Sequence, residues 1–79
     1  MTREAIYNKV KDYILMQLPI DAALVTGDAR VIEDLGADSA NLMMLIMDLE
    51  TEFDTQVEDE ALGSIKTVGD IVNYISGRL

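Results

Sequence analysis

The sequence predicts an all-α fold, a small four-helix bundle in which three main helices and a short third one are joined by a long ordered loop between helices one and two. Two observations lead there. Apolar residues recur at spacings of three and four, the period of an amphipathic helix, and no stretch alternates cleanly enough to propose a strand. The chain has 79 residues, enough for one modest core and too few for a deep enclosed active site beside it, so residues 1–79 form a single domain. No internal repeat and no low-complexity linker divides it.

Residues 3 to 17 place Ile6, Val10, Tyr13 and Ile14 on one stripe with no proline or glycine to interrupt it, which makes helix one. Pro19 ends that segment and opens "PIDAALVTGDARVIEDLGAD", about twenty residues with two glycines. A loop this long in so small a domain must be tied to something. Leu24, Val31, Ile32 and Leu35 are expected to pin it across the helical core. Asp38 then caps helix two, whose first turn begins at Ser39 and which continues to about Phe53. On a wheel of about 100° per residue, Leu42, Leu45, Ile46, Leu49 and Phe53 share the arc assigned to the core, with Met43 at its border. Ala40, Met44, Met47 and Thr51 fall almost opposite. "DEALGSI", residues 59 to 65, predicts one or two turns interrupted by Gly63. "TVGD", residues 67 to 70, reads as a capping box with Thr67 as the cap and Asp70 three residues on. Val68, Ile71, Val72, Ile75 and Leu79 line one face of the last helix.

Composition removes most chemistries. Cysteine and histidine are both absent, so there is no disulfide, no Cys/His metal site, no thiol nucleophile and no proton carrier of neutral pKa. Ser39 has no histidine to deprotonate it, and "GADSA" lacks the glycine spacing of a nucleophile elbow. An EF-hand starting at Asp34 fails because Gly36 takes the third ligand position and Leu45 the twelfth, where a bidentate Glu is required. Adjacent carboxylates such as Glu33 with Asp34, or Glu58, Asp59 and Glu60, read as a solvated surface with nothing to raise a pKa. The sequence therefore predicts no catalytic residues and no metal.

The net charge of −9 repels nucleic acid and anionic lipid and attracts proteins that present Lys and Arg. "MTREAIYNKVKDYILMQL" has charges spread through its apolar positions, unlike a signal peptide or a membrane span. A monomeric cytoplasmic protein is expected, with basic-patched protein partners, no nucleic acid and no membrane. On helix two, Met44 and Met47 point away from the core, and flexible thioethers make an adaptable contact surface.

The run "DLGADS", within "EDLGADS" at residues 33 to 39, is followed by an amphipathic helix ending in "DLETEFD" and later by "KTVGDIVNYI". In motif, length and charge, over nearly the whole chain, it resembles the acyl carrier proteins of fatty acid and polyketide synthesis. The resemblance implies a protein that catalyses nothing and carries acyl intermediates as thioesters on a 4'-phosphopantetheine arm. Ser39 matches the modified serine. Asp38 matches the acidic neighbour that helps the phosphopantetheinyl transferase, and Gly36 allows the turn that exposes the serine. That transferase, with Mg²⁺ and coenzyme A, and the acyl-transferring and chain-elongating enzymes are the implied partners. A chain without cysteine must import its thiol, which explains independently why such an arm is needed.

Partner recognition is expected at Glu33, Asp34, Ala40, Met43, Met44, Met47, Asp48 and Glu50. An acyl pocket is expected among Leu42, Leu45, Ile46, Val68, Ile71 and Val72. Ala40 stands where bacterial fatty acid carriers usually have Leu, and Met44 where they usually have Glu, which points to a specialised carrier with its own synthase or ligase. The reading from another class is a small acidic helical interaction module with no prosthetic group, binding a partner through Met44 and Met47.

Overall fold

The computed structural model describes residues 2–79, which form α1 (Arg3–Gln17), α2 (Ser39–Phe53), α3 (Asp59–Leu62) and α4 (Val68–Arg78) with no β-strand among them. Each long helix begins at a side-chain cap. Thr2 Oγ1 accepts from the Ala5 N–H at 3.1 Å ahead of α1, Asp38 caps α2, and Thr67 caps α4. These oxygens satisfy amides that no helical carbonyl can reach. α1 stops at Leu18, whose extended backbone suits the residue before Pro19. α2 stops at Asp54, which takes the left-handed conformation with φ 49°.

The core gathers Ile6, Val10 and Ile14 of α1, Leu45, Ile46, Leu49 and Phe53 of α2, and Val68, Ile71, Val72 and Ile75 of α4. Leu49 and Val10 are fully buried, so truncating Leu49 to Ala removes about 2–5 kcal/mol. Along the α1–α2 seam the Tyr13 hydroxyl donates to Glu52 Oε1 at 2.7 Å, and Lys9 lies 3.9 Å from the same oxygen. That hydrogen bond to a carboxylate raises the Tyr13 pKa, because ionising the phenol would end its donation and set two negative charges together. Gln17 closes the end of the seam. With its amide oriented to suit both partners, it donates to the Asn41 carbonyl and accepts from the Leu45 N–H, each at 3.0 Å.

The long connection is ordered by α4. The Val31 N–H donates to the Lys66 carbonyl at 3.0 Å, the Val68 N–H to Ala29 at 2.9 Å and the Gly69 N–H to Gly27 at 2.8 Å, around an isolated bridge between Arg30 and Thr67. Gly69 has no room for a side chain, since a Cβ there would sit 2.9 Å from the Gly27 carbonyl oxygen.

Four expectations about the core are corrected. Of the residues expected to pin the loop, Val31 and Leu35 are buried, but Leu24 and Ile32 are 53% and 45% exposed. Val25, Ala29 and Ala37 take their place. Leu24 ends a single 3₁₀ turn, Ala22–Leu24, that buries nothing. Leu79 is 59% exposed because α4 ends at Arg78. Met43 points outward, whereas Leu42 is half-buried and packs against the core.

Candidate functional site

Ser39 is the first residue of α2, and the turn before it is built to hold it outward. Leu35 and Ala37 are buried on either side of Gly36, which takes φ 78°, a conformation that penalises any residue with a Cβ. Gly36 thus lets the chain reverse between two anchored side chains. The Gly36 N–H donates to Ile32 at 3.1 Å and the Ala37 N–H to Val31 at 3.2 Å, so the approach to the helix is fixed by its own backbone.

Asp38 and Asn41 form a reciprocal box: the Asn41 N–H donates to Asp38 Oδ1 at 2.8 Å, and the Asp38 N–H donates to Asn41 Oδ1 at 3.1 Å. The Leu42 N–H donates to the Asp38 carbonyl at 3.0 Å. Ser39 and Ala40 are exposed, and their N–H groups donate to no described residue. Two open amides therefore flank an exposed hydroxyl at the positive end of the α2 dipole, an arrangement that favours an attached anion. Asn41 carries little sequence signal for this role, because the usual third residue of such a box is Glu or Gln.

The acids around the site differ in their freedom. Arg30 forms an ion pair with Glu33, and its guanidinium reaches both Asp34 oxygens at 3.1 and 3.2 Å. Asp34 also accepts from the Arg30 backbone N–H at 2.8 Å. The side-chain bond from Arg30, then its backbone N–H, hold the Asp34 carboxyl below the usual range. Glu50 is half-buried and accepts from the Val57 N–H at 2.9 Å, fixing the chain after α2. Asp48 is exposed and its side chain makes no ion pair or hydrogen bond with a described residue, leaving it the least committed of the acids expected to face partners. Beside it Met43, Met44 and Met47, the three methionines expected to face partners, are 43%, 56% and 60% exposed. A broad shallow hollow of about 640 Å³ lies over Met47, Asp48, Thr51 and Asp54, toward the other end of α2 from Ser39.

A smaller and more enclosed groove of about 240 Å³ opens beside Leu42. Ile32, Leu62 and Ile65 give it apolar walls, and Arg30, Glu33 and Lys66 complete its lining. Of the six residues expected to form an acyl pocket, Leu42 lines this groove, while Leu45, Ile46, Val68, Ile71 and Val72 are packed into the core. Ile32 and Leu62 carried no sequence signal for this place, since their meeting depends on how the loop and α3 fold over α2. Among the described residues no group of acids is arranged to hold a metal ion, and no helix is long and apolar enough to cross a membrane.

Known proteins agree with this geometry. Residues 8–75 match the family described as the phosphopantetheine attachment site. The chain is 50% identical over 78 residues to the acyl carrier protein of Thermotoga maritima, covering 99% of this chain and 96% of that one. It is 49% identical over 70 residues to the acyl carrier protein of Clostridium acetobutylicum, with 89% and 91% covered. The solved structure of the acyl carrier protein from Enterococcus faecalis superposes with a TM-score of 0.83 at 40% identity, covering 98% of both chains. With a helical bundle, an open serine at a helix start and these relatives over nearly its full length, the chain belongs to the acyl carrier protein family, whose members bear 4'-phosphopantetheine and carry substrates without catalysing reactions.

Proposed function

We propose that Ser39 carries the phosphopantetheine arm. The observation that supports this most is the contrast at the start of α2, where Asp38, Asn41 and Leu42 are bonded among themselves and Ser39 is left exposed between open amides. A phosphopantetheinyl transferase joins the Ser39 oxygen to the pantetheine phosphate of coenzyme A, and the nucleotide part leaves. The new phosphodiester lies where the helix dipole and the Ser39 and Ala40 N–H groups offset its charge. The arm's terminal thiol then bears the acyl thioester that this cysteine-free chain cannot form itself. In this reading Asp38 fixes the serine's turn and presents an acid to the transferase, and Gly36 supplies the reversal.

Partner enzymes with basic patches read Asp48 together with Ala40, Met43, Met44 and Met47. Glu33, Asp34 and Glu50 contribute field from their tethered positions. The protein works as a cytoplasmic monomer, and the apolar Met44 marks it as a specialised carrier. A short acyl chain rests against Leu42.

Intact-mass measurement after incubation with a phosphopantetheinyl transferase, coenzyme A and Mg²⁺ tests the assignment. One phosphopantetheinyl group is expected, and Ser39→Ala should abolish the mass shift while leaving the helical circular dichroism unchanged. Modification of Ser64 or Ser76 would overturn it. The Ser64 hydroxyl already donates to the Ala61 carbonyl at 3.0 Å, and the Ser76 oxygen is buried.

A further inference from the structure

The groove beside Leu42 is lined by cationic residues in a strongly acidic protein. Only six of the 79 residues are Lys or Arg, and two of them, Arg30 and Lys66, line it. Arg30 is committed to Glu33 and Asp34. Lys66 is exposed and forms no ion pair with a described residue. Its backbone is nevertheless fixed on both sides, because its carbonyl accepts from the Val31 N–H at 3.0 Å and its N–H donates to Asp70 Oδ2 at 3.0 Å. An unpaired ammonium side chain on a fixed stretch of backbone thus lines an apolar cleft.

Leu42 follows Ser39 by three residues, so it lies on the same side of α2, about 4.5 Å farther along the axis. The arm attached at Ser39 therefore starts one turn from the groove and can fold back to bring its terminal thioester against it. The groove's volume of about 240 Å³ corresponds to roughly eight water-sized volumes at about 30 Å³ each, room for a short chain. A fully apolar chain would use the walls made by Ile32, Leu42, Leu62 and Ile65 and gain nothing from Lys66. A chain ending in a carboxylate can lay its methylenes on those walls while its charge stays beside the exposed Lys66, where it remains hydrated and meets the ammonium group.

We propose that Lys66 is a specificity-determining residue that favours short acyl groups ending in a carboxylate, held in the groove between Leu42 and Ile65. The inference rests on the arm being attached to Ser39. The test therefore begins by confirming, from intact mass, that the arm and its cargo are in place, which separates a failure of attachment from a failure of recognition.

The protein is loaded by a phosphopantetheinyl transferase from coenzyme A, pentanoyl-coenzyme A and glutaryl-coenzyme A, giving an arm alone and two five-carbon cargoes that differ in their terminal group. Amide spectra by ¹H–¹⁵N NMR are expected to differ between glutaryl and pentanoyl forms at Gly63, Ile65 and Lys66. That difference should shrink at high salt, disappear in Lys66→Ala and return in Lys66→Arg. Thermal unfolding of the two variants without cargo checks that neither change disturbs the fold. Identical glutaryl and pentanoyl spectra would overturn the proposal, as would a difference that survives Lys66→Ala. The same Lys66 shift with the arm alone would also overturn it, by showing that the ammonium group answers to the arm's phosphate.

Discussion

The starts of α4 and α2 have similar caps and opposite fates. At α4 the first N–H donates to Ala29, the second to Gly27 and the third to Thr67 Oγ1, so loop and cap together close the helix end. At α2 the third N–H donates to Asp38 Oδ1, and the first two, on Ser39 and Ala40, face solvent. The open amides are thus a property of what covers the helix, since both ends carry a capping box. One loop produces both states: its middle binds α4, and its end reverses at Gly36 to leave α2 uncovered.

The largest way to break this contrast is to push the loop off α4. Gly69→Val places carbon where the Gly27 carbonyl already sits 2.9 Å away, and the protein should lose about 1–3 kcal/mol in urea unfolding, the usual cost of overpacking. No loss would mean that the loop yields freely and that α4 does not hold it.

The caps themselves should be worth much the same at the two ends. Thr67→Ala and Asp38→Ala are each expected to cost about 1 kcal/mol, within the usual range of about 0.5–2. A large inequality in unfolding midpoints would show that the difference between the ends lies in the boxes as well as in the cover.

Acid should weaken the closed end. Asp70 accepts from the Thr67 and Lys66 N–H groups, each at 3.0 Å, and these two bonds hold its carboxyl below its ordinary value. A depressed folded-state pKa gives stability that is present above the unfolded value, about 3.9, and is lost as pH falls through the folded one. Asp70→Asn should therefore flatten stability against pH in that acid window, and an unchanged slope would remove Asp70 from the account.

The smallest effect belongs to the open end. Attaching the phosphodiester at Ser39 should stabilise the fold by about 0.3–1 kcal/mol at low ionic strength, less at high salt, as expected for an exposed anion at a helix N-terminus. Differential scanning calorimetry of the unmodified and modified protein at two salt concentrations measures it, and destabilisation at low salt would contradict the dipole argument.

These differences were unequally legible in the sequence. Thr67, Asp70 and Asp38 act within a single turn, so reading neighbours in order found them. Gly36 was legible too, as the glycine inside the "DLGADS" run. The cover over α4 was not, because Gly27, Ala29 and Val31 meet residues 66 to 69 only after the chain has folded. The same limit explains Leu24 and Ile32: hydrophobicity marked both as anchors, but whether a loop residue points inward depends on contacts distant in the chain. Arg30 hid a further feature, since Glu33 and Asp34 look free in sequence and are held by a residue only three or four positions earlier. The groove at Leu42 needed α3 and the loop in place before it existed.

The hydrogen bonds from residues 27 to 31 onto the start of α4 also set a clock. A ribosome adds about 5–20 residues per second, and the serine emerges well before the segment that anchors its loop. Until residues 66 to 69 are available, Val31 has no Lys66 carbonyl to bind and Gly27 no Gly69 amide, so the turn that presents the serine lacks its distant support. Such non-local contacts close late, after the entropy of the intervening chain has been overcome. The turn before the serine is therefore complete only once residues 66 to 69 have joined it.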